Sequence, residues 1–285
     1  MAILLALISA VLYGTSDFIG GVLSARIRPW TAAFTGQLAG GLILVVVSLV
    51  TGSTLSWPAA GWGAVSGVGG GIGVIFLYRG LASGRMGVVA PLSGVGAALV
   101  PAAVGVALGD RPSLLSWIGI VAALPATWLV AAGEGDRSAA GPGADSSPRR
   151  GAGVLDGLIA GAGFGVGFAA VAQAPAASGQ WPVAVDLLLA AVVAVVGATI
   201  AHEAWLPRDR TAALAVSTGI LAAAALVAFL ASTHHGMLAV TGIIAALYPA
   251  ATVVLAIGVL HERVHRSQAL GLGLCAVAVA LVAGG

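Results

Sequence analysis

Residues 133–150, GEGDRSAAGPGADSSPRR, are the one long polar stretch in the chain, and the sequence on either side of them is overwhelmingly apolar. Their glycine, proline, serine and mixed charge cannot fill a packed element, so they read as a linker between two halves, residues 1–132 and 151–285. Outward from the linker the sequence divides into apolar runs of about 20 residues, the length a helix needs to cross a hydrocarbon core ~30 Å thick. Of 285 residues 59% are hydrophobic and 8% charged, too little polar surface to cover a water-facing globule. The expected solvent is therefore the lipid bilayer.

Five runs precede the linker, at 2–23, 31–51, 60–79, 86–108 and 113–132, and five follow it, at 152–175, 183–204, 211–231, 237–260 and 267–284. The 43 glycines and the absence of alternating aromatic runs point to helices rather than barrel strands. The first run has no basic segment before it and leads into Ser24, Ala25 and Arg26, so it reads as a retained span and not as a signal peptide. Cys275 is the single cysteine, which excludes an internal disulfide, and with no asparagine there is no glycosylation sequon.

A shift of 151 residues lays the second half over the first. It pairs Leu7-Ile8 with Leu158-Ile159, Tyr13-Gly14 with Phe164-Gly165, Trp30 with Trp181, Tyr78 with Phe229 and Met86 with Met237. One inserted residue later, Asp110-Arg111 meets Glu262-Arg263 and Gly119 meets Gly271. Because each half holds an odd number of spans, the halves enter the membrane from opposite sides. The expected fold is thus all-α and integral to the membrane, with ten transmembrane helices as two inverted five-helix repeats, the architecture of alternating-access carriers.

The fourth and ninth spans with their exits read VVAPLSGVGAALVPAAVGVALGDRPS from Val88 and LAVTGIIAALYPAATVVLAIGVLHERV from Leu238. With these stretches the chain resembles the EamA-type permeases of the drug/metabolite transporter superfamily. The resemblance implies a ten-span fusion of two repeats, each with a proline-containing fourth span that ends in a Gly-Glu-Arg-like turn. Here the turns read Gly109-Asp110-Arg111-Pro112 and His261-Glu262-Arg263, and Pro101 stands where the register of Pro249 points to Ala98, so functional symmetry of the halves is not implied. The resemblance further implies a small-molecule substrate, such as an amino acid or an amphiphilic compound, and transport rather than catalysis.

Eleven of the twelve arginines, all but Arg111, follow odd-numbered spans. By the positive-inside rule this places both termini outside the cytoplasm, in a multi-pass protein of the cell's inner membrane, whereas the resemblance implies cytoplasmic termini. The basic pI of about 9.2 comes from these turn arginines and does not imply nucleic-acid binding. There is no lysine and no G-x-x-x-x-G-K loop, so movement is expected to draw on gradients, with proton coupling open and no cofactor required.

Asp17, in LYGTSDFIGG, is the one carboxylate well inside a run. A charge there is costly unless it faces a wet cavity or a partner, which makes it a substrate or proton site by default, with Tyr13 and Ser16 a turn or less away. The structural alternative is a residue near the interface that pairs with Arg26. Arg79, beside Tyr78, suits an anionic substrate or, more plainly, an interfacial anchor. Gln37 and Gln173 are the amides of the apolar runs, with helix-to-helix glue as their simplest role. Pro91, Pro101, Pro125, Pro175 and Pro249 free backbone carbonyls, and Pro91 and Tyr248 join the substrate-contacting candidates on that ground. Asp156, Asp186, His202, Glu203 and Asp209 fall at expected span ends, where capping accounts for them. The spacings Gly36 to Gly40, Gly161 to Gly165 and Gly163 to Gly167 permit close helix contact.

His261-Glu262-Arg263-Val264-His265 matches the H-E-x-x-H pattern of zinc hydrolases, in which two imidazoles share a helix face and the glutamate acts as base. An intramembrane zinc hydrolase is therefore the alternative to a carrier. Against it, the equivalent stretch of the first half has no histidine and a helix-stopping proline. His234-His235, the other histidine pair, belongs to the opposite end of the ninth run.

Overall fold

The computed structural model describes residues 1–24, 27–82, 86–138, 152–207, 213–260 and 266–285. The first half forms α1 (Ala2–Ser24), α2 (Pro29–Val50), α3 (Trp57–Ala82), α4 (Met86–Ala107) and α5 (Leu114–Ser138). The second half forms α6 (Ala152–Val171), α7 (Trp181–Ile200), α8 (Ala215–His235), α9 (Leu238–Ala245), α10 (Tyr248–Leu260) and α11 (Arg266–Gly284). Among the described residues there is no strand. Eight helical segments are long and apolar enough to cross a membrane, with Leu238–Val259 counted as one, and the shorter Leu92–Ala107 and Leu114–Val130 bring the total to ten.

Local chemistry sets the helix ends. Proline stands at the first turns of α2 and α7, where its missing N–H and fixed φ cost nothing. Helix α4 ends at Gly109, whose φ of +111° is left-handed territory that a side chain disfavours; the Asp110 N–H then returns to the Gly105 carbonyl at 2.9 Å.

Four boundaries differ from the sequence expectation. The sixth span stops at Val171, which leaves Gln173 and Pro175 in the following turn, where Gln173 Nε2 donates to the Ala169 carbonyl at 3.2 Å. The seventh stops at Ile200, before a turn in which His202 has positive φ. The eighth is displaced to 215–235, because Thr233, His234 and His235 continue the helix up to Gly236. Helix α5 also runs on to Ser138, so residues 133–138 of the expected linker are helical; extending a formed helix needs no new nucleus. The rest of the linker lies outside the described residues.

The helices pair reciprocally. Helix α1 packs on α8 as α3 packs on α6, α2 on α8 as α3 on α7, and α1 on α9 and α10 as α4 on α6, while α2 with α7, α4 with α9 and α5 with α11 pair like with like. Hydrogen bonds between the halves place the helix ends on two faces. On the face that carries both termini, Trp181 Nε1 donates to the Ser53 carbonyl at 2.9 Å, and Ser56 Oγ lies 2.9 Å from Ser178 Oγ. On the other, arginine-rich face, Arg79 pairs with Asp156, and Arg28 lies 3.6 Å from Glu203.

Glycines let these helices approach. A Cβ on Gly219 of α8 would collide with the Gly36 carbonyl of α2, and one on Gly96 of α4 would lie 2.6 Å from the Gly161 Cα of α6. The glycine spacings of the sequence thus mark real contact faces. Gly273, by contrast, has nothing within 4 Å. Gly219→Val is expected to abolish a monodisperse, folded species in detergent, whereas Gly273→Ala leaves it intact and raises the melting temperature slightly, since alanine favours a helix interior by about 1 kcal/mol over glycine. Size-exclusion chromatography and thermal unfolding of the two variants check this.

Candidate functional site

Helix α1 has two opposed faces. Leu4, Ile8, Val11 and Val22 recur at helical spacing and are exposed, as lipid-facing residues must be. Ala6, Ala10, Tyr13 and Asp17 occupy the opposite face, where Ala6 (0%) and Ala10 (5%) are buried against other helices. Asp17 shares that inner face and is nonetheless exposed. Pointing away from lipid, it reaches an internal space. Gly20, one turn further, has no atom within 4 Å of its Cβ position, and neither does Gly70 of α3.

The break in the ninth span shapes this space. Pro249 has no N–H for the Ala245 carbonyl, α9 ends there, and Leu247 and Ala250 bond to carbonyls three residues back before α10 begins. Helix α9 packs on α4, while α10 turns onto α1, where the absent side chain of Gly14 admits the Tyr248 carbonyl and Thr252 Oγ1 donates to the Gly14 carbonyl at 3.1 Å. The exposure of Asp17 and the open space at Gly20 mark a cleft on the inner face of α1, toward its arginine-rich end.

Aromatic rings form its floor. The Tyr13 ring meets Phe168 edge-on with centroids 5.8 Å apart and lies 6.1 Å from Tyr248; Phe168 in turn packs 4.9 Å from Phe229. Beneath them Val171, Val183, Leu187, Leu226 and Leu230 seal the bundle toward the terminal face. A polar clasp reinforces that seal: the Asp110 carboxylate of α4's exit accepts the backbone N–H of Ala239 at the start of α9, at 2.8 Å, in room left by Gly105. The negative charge also suits the positive end of the α9 dipole.

Other candidates are engaged elsewhere. Ser16 Oγ donates to the Thr218 carbonyl at 3.0 Å and joins α1 to α8. Arg79 donates from Nε to Asp156 Oδ1 at 3.0 Å and from Nη2 to the same oxygen, and its guanidinium sits 4.2 Å over the Phe76 ring. Asp156 is thus a buried ion-pair partner (5% exposed) instead of a solvated cap. Gln37 Oε1 is buried on α2 with no hydrogen-bond partner among the described residues. The side chains of Tyr78 and Pro91, and Asp209 as a whole, lie outside the described residues, as do residues 261–265. His234 caps the far end of the ninth span, bonded to the Ala174 carbonyl at 3.1 Å, and among the described residues no three metal-ligating side chains cluster.

Several residues of the site escaped the sequence reading. Asp186 is no cap: it sits inside α7, 7% exposed, within hydrogen-bonding reach of Ser66 and within electrostatic range of Tyr13, which also feels Asp17 and Tyr248. Ser66 itself donates to the Gly167 carbonyl at 2.9 Å. Phe168 was not singled out in the sequence, and Phe229 only as the counterpart of Tyr78. A signal for Phe168 existed, since the 151-residue shift places it opposite Asp17. Gln268, counted among turn residues, is likewise a fully buried amide of α11.

Comparison with known proteins accords with this architecture. A solved structure described only as "Crystal structure of protein" superposes with a TM-score of 0.75 over 99% of this chain and 98% of its own, at 19% identity, a likeness of fold alone. No curated protein matches the sequence. The model of the EamA-like transporter family matches twice, over residues 1–132 and 151–284. With both halves matched and its helices apolar enough to span a bilayer, the chain belongs to the EamA-like transporter family of integral membrane proteins.

Proposed function

We propose that the protein is a gradient-driven carrier of small metabolites or amphiphilic compounds in the cell's inner membrane. It works by alternating access between two halves of opposite orientation, residues 1–132 and 151–285. The observation that carries this reading is Asp17: an acid on the face of α1 turned away from lipid, open to solvent, above a floor that the rest of that face seals. Reciprocal helix pairing supports a two-fold relation between the halves, which rocking about a central site requires. The arginine bias supports a cytoplasmic position for the open face.

In this reading Asp17, Tyr13 and Tyr248 contact the substrate, and Asp17 receives either a cationic group or a coupling proton. Ser16 and Arg79 act in packing and on the cleft's rim. Transport turns the cleft around: the clasps of the terminal face, Asp110 with Ala239, Trp181 with Ser53 and Ser56 with Ser178, part while the arginine-rich face closes.

Two measurements test the proposal. Proteoliposomes should take up or exchange at least one member of a panel of labelled amino acids, amines and amphiphilic drugs saturably and under an ion gradient, and Asp17→Asn should fall to the empty-vesicle level; normal transport by Asp17→Asn with unchanged pH dependence would sink the site. For the clasp, a cysteine at position 104, behind the terminal face, is probed with a membrane-impermeant thiol reagent in a Cys275→Ala background. Asp110→Ala should raise its labelling rate by about tenfold, the scale of one hydrogen bond to a charged group. An unchanged rate would remove Asp110 from the gate.

A further inference from the structure

The charges around the cleft can be followed one by one. Arg79 is committed to Asp156 and stacked on Phe76, and Arg28 faces Glu203, so each described arginine of the first half near the open face already has an acid beside it. Asp17 has no such partner among the described residues, although it is exposed toward the same space. Asp186, the second acid in electrostatic range of Tyr13, has only the Ser66 hydroxyl. Among the described residues of the first half near the open face, the cleft therefore offers an anionic group and no arginine without an acid beside it.

Its floor adds a second, independent preference. Tyr13, Tyr248 and Phe168 come from α1, α10 and α6, and the Phe168 and Tyr248 ring centroids lie 5.8 and 6.1 Å from that of Tyr13, set edge-on and tilted. Such a floor receives an apolar or aromatic body, and ring faces attract a neighbouring cation through their quadrupole. A carboxylate or phosphate would be placed against Asp17 with no free cation of the described first-half residues to balance it, and low-dielectric walls strengthen that repulsion.

We infer that the cleft selects organic monocations: a protonated amine attached to an apolar or aromatic body, with the ammonium on Asp17 and the body on the Tyr13, Tyr248 and Phe168 rings. This rests on the carrier reading for its purpose, though binding is measured without transport. The ammonium donates its N–H bonds to the Asp17 carboxylate, a charge-assisted pair. Among the described residues at the cleft Asp17 is the acid within solvent's reach, which sets the preferred ligand charge at one, while Asp186, buried beneath, biases the floor further against anions.

Gly20 provides the reporter, because a side chain there meets nothing within 4 Å. Gly20→Cys in a Cys275→Ala background, in lipid nanodiscs, is labelled with a membrane-impermeant methanethiosulfonate in the presence of three probes of similar size: phenethylamine, phenylacetate and 2-phenylethanol. Phenethylamine should slow labelling in a saturable manner, and the anion and the neutral alcohol should not. Asp17→Asn should weaken protection by phenethylamine by at least about tenfold, whereas Asp17→Glu retains most of it. Equal protection by phenylacetate, undiminished protection in Asp17→Asn, or no protection by phenethylamine would each overturn the inference. The labelling rate without probe shows that each variant holds the open cleft. Failure of transport with intact amine binding would count against the carrier reading instead, so the two outcomes are separable.

Discussion

Pro249 withholds one amide proton from the Ala245 carbonyl, and much of the site follows from that missing bond. A continuous helix from Leu238 to Leu260 would hold a single direction and stay with α4 throughout. The interruption lets α9 remain on α4 while α10 swings onto α1, and Tyr248, the first residue after the break, is delivered next to Tyr13. A broken helix is expensive where lipid surrounds it, since a free carbonyl has no water to bind. Here the cost is contained because α9 is buried along its entire length, the N–H groups of Ala246, Leu247 and Ala250 find nearby carbonyls, and Thr252 ties α10 to Gly14.

The two halves pair like mirror partners, yet their chemistry differs. Helix α4 carries Pro91 and Pro101 and stays continuous from Met86 to Ala107, while its counterpart breaks. The register that relates the halves sets Asp17 opposite Phe168 and Thr35 opposite Asp186. Symmetry in packing with asymmetry in side chains is a sensible division for a membrane protein. Backbone contact through glycines needs only shape, which duplication copies directly, whereas a central site needs one acid and one floor, and a second acid at Phe168 would add a buried charge without a partner.

The spans were legible because the bilayer imposes one length on every helix and the apolar runs obey it. Asp17 was legible for the same reason, as a charge in the middle of such a run has few tolerable surroundings. Span ends were read less well. Val171 to Pro175 carries one polar side chain, Gln173, between apolar neighbours, so hydropathy alone does not mark the turn that the chain makes there. Asp186 was lost to this uncertainty: placed at the start of an expected span it passed for a cap, whereas α7 begins at Trp181 and the carboxyl lies more than a turn inside. The Arg79–Asp156 pair was hidden for a different reason. Its partners are 77 residues apart, and no local pattern announces which helices will meet.

The two faces are held by contacts of different kinds, and the difference bears on how such a molecule switches. The arginine-rich rim uses ion pairs, one with a largely buried acid and one exposed, whose side chains reach across a gap between helices. The sealed face uses two backbone-directed bonds, a carboxylate on an N–H and an indole on a carbonyl, and one bond between hydroxyls. Neutral bonds of this kind contribute about 1 kcal/mol each after their exchange with water, and bonds to a charged group somewhat more. Three clasps therefore contribute a few kcal/mol to holding the face shut. A ligand shifts such an equilibrium only by the difference in its affinity for the two states. In the proposed carrier Asp17 sits where that difference would arise, because its carboxylate, exposed in the open cleft, would lose water on closure unless a counter-charge or a proton neutralised it.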